Sequence, residues 1–393
     1  MIIYAAHGDL LIHNGLTVRV RKIVKELSKY SPIGLISAHK IPANDSLYDS
    51  VEWIYSLDHV SDKKELINPR AYWKALKDCL TIAKLSKKED IIYTDGPYYP
   101  LAKLFTSNKL FLELHGIVTE NLVNKEVLKK SGFVYHLSKT MERFLVKRTS
   151  GVISVTPGLK EYANDHFNYS LNRQAVIPNG VDTDLYQQVT EKEIQKVKEK
   201  LDIQDSFTLG FIGAFRAWHG MENLILTLER VKKEVKNAKL VLIGDGDHKD
   251  KLVELAEKRG VIDSVVFTGY IDHSKVPPIL KALDVGVYFP HTDLTIDSLR
   301  RKFGESTMKI YEYMAASLPV VTTPIPNMSS TVKQSKGGRV VKRDIEAFSN
   351  AIIGLAQSPK ERKELGRRGQ KFVHEHFQWK EIARQIWEFI SKE

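Results

Sequence analysis

Along almost the whole of this chain, short β-branched or apolar runs alternate with stretches of helical period. Few architectures accept that rhythm. Parallel strands can be joined only through long crossovers, usually helical, so the alternation predicts an α/β fold built on parallel sheets. In the first half the strand candidates are MIIYAA, PIGLISA, DIIYTDG, LFLELHG, GVISVTP and QAVIPNG, with helical stretches at 16–30 and 71–88 among those between them. In the second half they are FTLGFIGAF, KLVLIGDGD, SVVFTGY, VGVYFP, PVVTTP and GRVV. With 393 residues, and roughly 150 residues per domain as a prior, the reading is two Rossmann-like domains, 1–200 and 201–376. The charged stretch TEKEIQKVKEKLDIQDS leads from one to the other as a surface helix. The last segment, 377–393, carries Trp379, Ile382, Ile386, Trp387 and Ile390 at helical spacing and needs a surface to pack on.

Composition narrows the class. Hydrophobic residues make up 42% and charged residues 27%, which excludes disordered, collagen-like and membrane-bundle sequences. No apolar run approaches the length of a spanning helix. The N-terminal MIIYAAHGDLL has no basic region and meets His7 and Asp9 early, so no secretory signal is expected and the cytoplasm is the expected compartment. A single cysteine, Cys79, fits a reducing environment and sits at a core-like position. The 59 Lys and Arg against 48 Asp and Glu give a net charge of +11, which favours anionic partners. Nucleic acid is not among those expected, because no nucleic-acid signature accompanies the charge. The segment KKSGFVYHLSKTMERFLVKR interleaves Lys129, Lys130, Lys139, Arg143, Lys147 and Arg148 with Phe133, Val134, Leu137 and Phe144. It reads either as a contact for an anionic membrane surface or as a solvated helix with an ordinary buried stripe.

In doubly wound sheets ligands bind at the carboxyl ends of the strands, so the βα loops are where function is sought. Gly15, before the first long helix, either lets backbone N–H groups approach an anion or serves only its own backbone angles. His115, at the end of LFLELHG, can hydrogen-bond a substrate hydroxyl or move a proton, or can cap local backbone. In GFIGAFRAWHGMENLI, Arg216 precedes a helix start and suits a phosphate through its planar fork. The Asp-x-Asp of LIGDGDHKDKL reads as a tight turn with Asp245 and Asp247 near a helix cap, not as a metal clamp. His374 and His376 lie two apart on a helix and point to different sides, so no bound metal is expected. The richest loop runs from Arg300, Arg301 and Lys302 through Gly304, Glu305, Ser306 and Thr307 to Met308, Lys309 and Glu312. Ser306 and Thr307 open a helix whose N–H groups can cradle a diphosphate. Lys309 lies three positions before Glu312, so one ligand can meet both; the plainer alternative is a surface ion pair.

The ordered series VISVTPGLKEYAN, VIPNGVDTDLY, FIGAFRAWHGMENLI, LVLIGDGD, VVFTGYIDHSKVPPILKALDVGVYFP and KIYEYMAASLPVVTTPIP resembles the retaining glycosyltransferases of family four. The resemblance implies the GT-B fold: two facing Rossmann-like domains, a cleft between them, and a C-terminal helix crossing back to the first. It implies a nucleotide diphosphate sugar such as a UDP- or GDP-sugar as donor, held by the second domain, with the base near Tyr270 and Ile271. The first domain then holds a glycan, lipid-linked or small-molecule acceptor. Glu312 matches the second glutamate of the family's paired-Glu motif, which meets the ribose. The first glutamate falls at Gly304, so Glu305 serves only if the loop shifts by one residue. The family's Arg and Lys fall at Ala214 and His219, with Arg216 as a substitute. The stretch Ser306, Thr307, Met308 and Lys309 is similar to a Ser-Pro-x-Lys run found in part of the family, and Gly15 and His115 match its first loop and cleft histidine. By the same resemblance the reaction retains anomeric configuration and needs no protein nucleophile and no cofactor; polysaccharide biosynthesis is the expected setting, and the basic segment 129–148 is what would bring the chain to the inner face of the plasma membrane. Two other readings stay open: a sugar-nucleotide epimerase of similar fold, and a non-catalytic subunit that binds a sugar nucleotide or glycan.

Overall fold

A computed structural model of the chain describes residues 1–11, 15–57, 69–117, 119–120, 123, 129, 132–167, 173–291 and 308–392. It is an α/β protein that divides into two units, Met1–Asn179 with Trp379–Glu393, and Gly180–Gln378. The division falls ahead of the boundary expected near residue 200. Val181, Tyr186, Ile194 and Ile203 all pack into the second core, so the charged stretch belongs to that unit. Its helix, Glu191–Leu201, opens on a reciprocal capping box between Thr190 and Glu193.

The first unit holds β1 (Ile2–Ala5), β2 (Ile33–Ser37), β3 (Trp53–Ser56), β4 (Ile91–Thr94), β5 (Leu110–Leu114), β6 (Gly151–Ser154) and β7 (Gln174–Val176). They form one sheet in the order β3-β2-β1-β4-β5-β6-β7, and every pairing is parallel. All four residues of β1 are buried, as a strand covered on both faces requires. The edge strand β3 was not among the expected strands; its apolar run, Trp53, Ile54 and Tyr55, is only three residues long. The C-terminal helix, Trp379–Ser391, packs on the helix Gly15–Leu27 of this unit through buried Ile382, Ile386 and Ile390. Trp387 stacks on Tyr30 at 6.1 Å, and Phe389 meets Phe111 edge-on at 5.8 Å. Cys79 is buried, and burial pushes its thiol up to about 12, which makes it an inert core residue.

The second unit holds β8 (Phe207–Ile212), β9 (Ala238–Ile243), β10 (Val265–Phe267), β11 (Val285–Tyr288), β12 (Val320–Thr322) and β13 (Gly338–Val340), in the order β10-β9-β8-β11-β12-β13 and again all parallel. In each sheet the order reverses once, between β1 and β4 and between β8 and β11. Those are the switch points at which loops diverge and ligands are received.

Candidate functional site

In the second unit the strand-end loops converge around Gly213, which follows β8 with a φ of +148°. A Cβ there would lie 3.7 Å from both His219 Cε1 and Lys309 Cε, so three loop elements meet at one point. His219 closes the turn Ala217–His219, donating from Nδ1 to the Ala214 carbonyl at 2.6 Å. Lys309, in the first turn of the helix Met308–Ala315, is 8% exposed, and its ammonium stands 4.2 Å from the centre of the Tyr288 ring and 5.1 Å from that of Phe211. Aromatic faces attract a cation, and the two rings hold this ammonium beside the ends of β8 and β11.

One turn further along this helix, buried Glu312 accepts from His273 Nε2 at 2.5 Å. Lys309 and Glu312 therefore each have a neighbour other than a plain surface ion pair. His273 follows Asp272, whose carboxylate caps the turn by accepting from Ser274 N. The Tyr186 hydroxyl, buried and without a hydrogen-bond partner, is raised by burial first and by Glu312 second. Tyr270 is 64% exposed beside Gly269, and Ile271 packs on the core.

Arg216 turns toward the loop after β9, where it ion-pairs with Asp247; the side chains are 44% and 88% exposed. Asp245 accepts from Gly246 N at 2.8 Å. Gly244 and Gly246 are required sterically, because a Cβ on either would fall 2.2 Å from Gly213 O or 2.6 Å from Phe215 O. The Asp-x-Asp stretch is thus a tight turn with both carboxylates engaged. Close by, Glu222 accepts from His248 and, at 3.0 Å, from His291; burial works against ionisation, yet the two histidines hold this carboxyl down to about 2. His374 Nδ1 is shared by Thr183 and Gln378, a packing role. Arg300, Arg301, Lys302, Gly304, Glu305, Ser306 and Thr307 lie outside the described residues, and Met308 opens the helix that carries Lys309.

In the first unit Gly15 begins the helix Gly15–Leu27, and His115 stands just beyond β5. The His115 ring is oriented by Glu113, to whose Oε1 it donates at 2.6 Å. Glu113 is the hub of a buried seam: Arg19 donates to both its oxygens at 2.7 and 2.9 Å, and the Tyr93 hydroxyl also donates to it. Burial alone would raise Glu113, but Arg19 and then His115 hold its carboxyl well below the usual range. Arg19 also donates to the carbonyls of Ile177 and Pro178 and to Asn179, tying the seam to the end of the unit. Asp95, just after β4, accepts from His7 N at 2.8 Å. The sequence reading passed over Arg19, Glu113, Asp95 and His273, since none lies in a glycine-rich or helix-start pattern. The period-two spacing of Tyr93 and Asp95, and of Glu113 and His115, places each pair on one face of the sheet and was the available signal.

Two doubly wound sheets with cations and carboxylates gathered at their switch points define an α/β protein of the ligand-binding strand-end type. The model described as "Glycosyltransferase Family 4" matches residues 14–185, and that described as "Glycosyl transferases group 1" matches residues 193–372. Together they run through both units, and the chain belongs to the family-four, group-1 glycosyltransferases. An uncharacterized glycosyltransferase of Methanocaldococcus jannaschii is 24% identical over 294 residues, 74% of this chain and 70% of the relative. A GDP-mannose-dependent alpha-(1-6)-phosphatidylinositol monomannoside mannosyltransferase of Mycobacterium tuberculosis is 23% identical over 63% of this chain; the match spans 64% of that relative, just under two thirds of its length. Among solved structures, Anabaena HepE in complex with UDP and glucose superposes with a TM-score of 0.75 at 18% identity, covering 100% of this chain and 99% of that one. A glycosyltransferase from Rickettsia africae gives 0.77 at 17% identity, covering 99% and 97%. These neighbours are GT-B glycosyltransferases, and the fold of this chain is theirs.

Proposed function

We propose that this chain transfers a sugar from a nucleotide diphosphate sugar to a glycan, lipid-linked or small-molecule acceptor, with retention at the anomeric carbon. The observation that carries the reading is Lys309, a nearly buried ammonium at the end of β8 and β11, with Glu312 one turn along the same helix. A cation and a hydroxyl-accepting carboxylate at that spacing suit a diphosphate and its ribose. The UDP bound to the HepE neighbour and the GDP-mannose named for the mycobacterial relative support this donor class.

In the reaction the acceptor oxygen bonds to the anomeric carbon as the bond from that carbon to the phosphate oxygen breaks. The acceptor's proton passes to the departing phosphate. Negative charge grows on the diphosphate, and preorganised cations stabilise it. Lys309 and Arg216 are the described cations for that role; Arg216 exchanges an exposed carboxylate partner, Asp247, for phosphate at little cost. Glu305, Ser306 and Thr307 remain our candidates for the same loop, with Gly15 and His115 serving in the first unit. With these cations placed to neutralise the diphosphate, transfer proceeds without a divalent metal; excess EDTA should leave turnover unchanged, and loss restored by Mg²⁺ or Mn²⁺ would contradict this.

The acceptor reading rests on the helix Phe133–Lys147. It buries Tyr135, Glu142, Leu145 and Val146 but exposes Phe133, Val134, Leu137, Met141 and Phe144, the reverse of an ordinary buried stripe. Lys139, Arg143, Lys147 and Arg148 accompany them. Each cation near an anionic surface adds about 1 kcal/mol of attraction, and the exposed apolar groups add burial. No helix among the described residues is long and apolar enough to cross a membrane. Peripheral binding to an anionic membrane that carries the acceptor follows, and sedimentation with anionic vesicles at low salt tests it. A variant with charge reversal at Lys139, Arg143, Lys147 and Arg148 should stay in solution, and a wild type that also stays there would point to a soluble acceptor. Calorimetry against UDP-, GDP-, ADP- and dTDP-sugars tests the donor; a folded protein that binds none of them would overturn the reading.

A further inference from the structure

Three strand-end loops of the second unit meet at the first turn of the helix Met221–Glu234. Glu222, in that turn, accepts from His248 Nε2 with one carboxylate oxygen and from His291 Nε2 with the other, the latter at 3.0 Å. His248 closes the turn after β9 and His291 follows β11, so one side chain ties together loops 26 and 69 residues away in sequence. An ionised carboxylate only accepts, which places a proton on each Nε2. The same helix start presses on the β11 exit at two further points. A Cβ on Gly220 would fall 2.2 Å from the Phe289 carbonyl oxygen, and Asn223 Nδ2 donates to that oxygen at 3.2 Å. On its other side the turn after β9 is laced to the chain beyond β8: Phe215 N donates to Asp245 O at 2.8 Å, and His248 N donates to Phe215 O at 3.2 Å. The next residue is Arg216.

We propose that Glu222 is a positioning residue for phosphate binding, fixing through His248 the main chain from which Arg216 reaches the diphosphate. The proposal rests on the donor reading above and says what holds that cation in place. The exposed pair with Asp247 is too weak to do so, since both side chains stand largely in solvent. Precision must then come from the main chain, and the turn from Asp245 to His248 grips Phe215 from both its N–H and its carbonyl. Glu222 anchors that turn by its last side chain. A carboxylate that joins two loops before the ligand arrives leaves less freedom to be lost on binding. Among the described residues no set of three such side chains is arranged to hold a metal ion, so hydrogen bonding is the role of this one. The charged and titratable groups of the three loops are Arg216 and His219 after β8, Asp245, Asp247 and His248 after β9, and His291 after β11.

The test is calorimetry with UDP and with GDP at about pH 8 and about pH 5, the range over which imidazoles charge. It compares wild type, Glu222→Gln, His248→Ala, Arg216→Ala and the two double variants that add Arg216→Ala. Glu222→Gln and His248→Ala should each weaken the nucleotide about fivefold while unfolding stays cooperative, and neither should add to the loss in Arg216→Ala. A glutamine offers one acceptor oxygen, and its amide can meet the second ring only where that ring has given up its Nε2 proton. The gap between Glu222→Gln and wild type should therefore widen at the lower pH. Losses that add to that of Arg216→Ala, or an Arg216→Ala that binds as wild type does, would overturn the proposal by breaking the route through Arg216. A gap that does not widen would overturn it too, by showing that the two rings are not what Glu222 acts on. Losses accompanied by non-cooperative unfolding in both single variants would leave a structural role in its place. A wild type that binds neither UDP nor GDP removes the donor reading itself, whereas nucleotide binding with indifferent Glu222→Gln and His248→Ala removes only the positioning role of Glu222.

Discussion

In the first unit Arg19 and Glu113 meet with neither side chain open to solvent, whereas in the second unit Arg216 and Asp247 meet with 44% and 88% of theirs exposed. Both pairs stand near strand ends of a doubly wound sheet. The buried one costs desolvation on both sides and is retained with a full set of hydrogen bonds, which fixes His115. The exposed one is weak and easily exchanged, which suits a cation that must leave a carboxylate for a phosphate. The contrast separates a seam that orients groups from a surface that waits for charge.

The largest expected effect lies in the buried seam. Arg19→Ala strands an ionised Glu113 and should cost about 3–5 kcal/mol of stability in urea unfolding, while Arg19→Met with Glu113→Leu should cost clearly less than the two single changes added. Additive losses would mean that the pair does not act as a unit. Next comes Lys309→Ala, which removes the buried cation over Tyr288. It should lower turnover on the order of 100-fold in a protein that still unfolds cooperatively. A loss of only twofold would transfer the phosphate role elsewhere.

Glu312→Ala should weaken the nucleoside diphosphate by about 1–3 kcal/mol by calorimetry, and it also removes the hydrogen bond from His273. Arg216→Ala sharpens the comparison from the other side: stability should change by no more than about 0.5 kcal/mol, because the lost pair is exposed, while donor turnover falls.

The smallest effect is a pH slope at a third cluster, where buried His166 lies between Glu120 and Glu142 in the first unit. Burial works against the charged ring, but the two carboxylates raise it above 6.5. A raised histidine contributes stability that is fully present below its unfolded value and lost as pH rises through the folded one. Wild type should therefore lose stability relative to His166→Gln as pH is raised above 6.5, and parallel profiles would contradict the charged ring.

Of the thirteen strands among the described residues twelve were legible, most of them because strands buried on both faces write themselves as apolar runs; β3, an edge strand, was not. The unit boundary was displaced because charge marks a solvent face but not which core the opposite face joins, and Ile194 and Ile203 decided that. Lys309 and Glu312 stood out through their helical spacing. Arg19 did not, because an arginine in the second turn of an amphipathic helix looks solvated until Glu113, 94 residues away, folds onto it. Asp95 was hidden as well, since its partner His7 lies 88 residues away in sequence.

The most direct test is turnover followed by NMR, with each nucleotide sugar of the panel and the acceptor fraction recovered on anionic vesicles. The account predicts that one donor releases its nucleoside diphosphate and that the new glycoside carries the donor's anomeric configuration, with Lys309→Ala nearly silent. A folded protein that binds the nucleotide yet releases no nucleoside diphosphate from any donor would contradict transfer and leave a binding subunit, and an inverted anomer would contradict the retaining reaction.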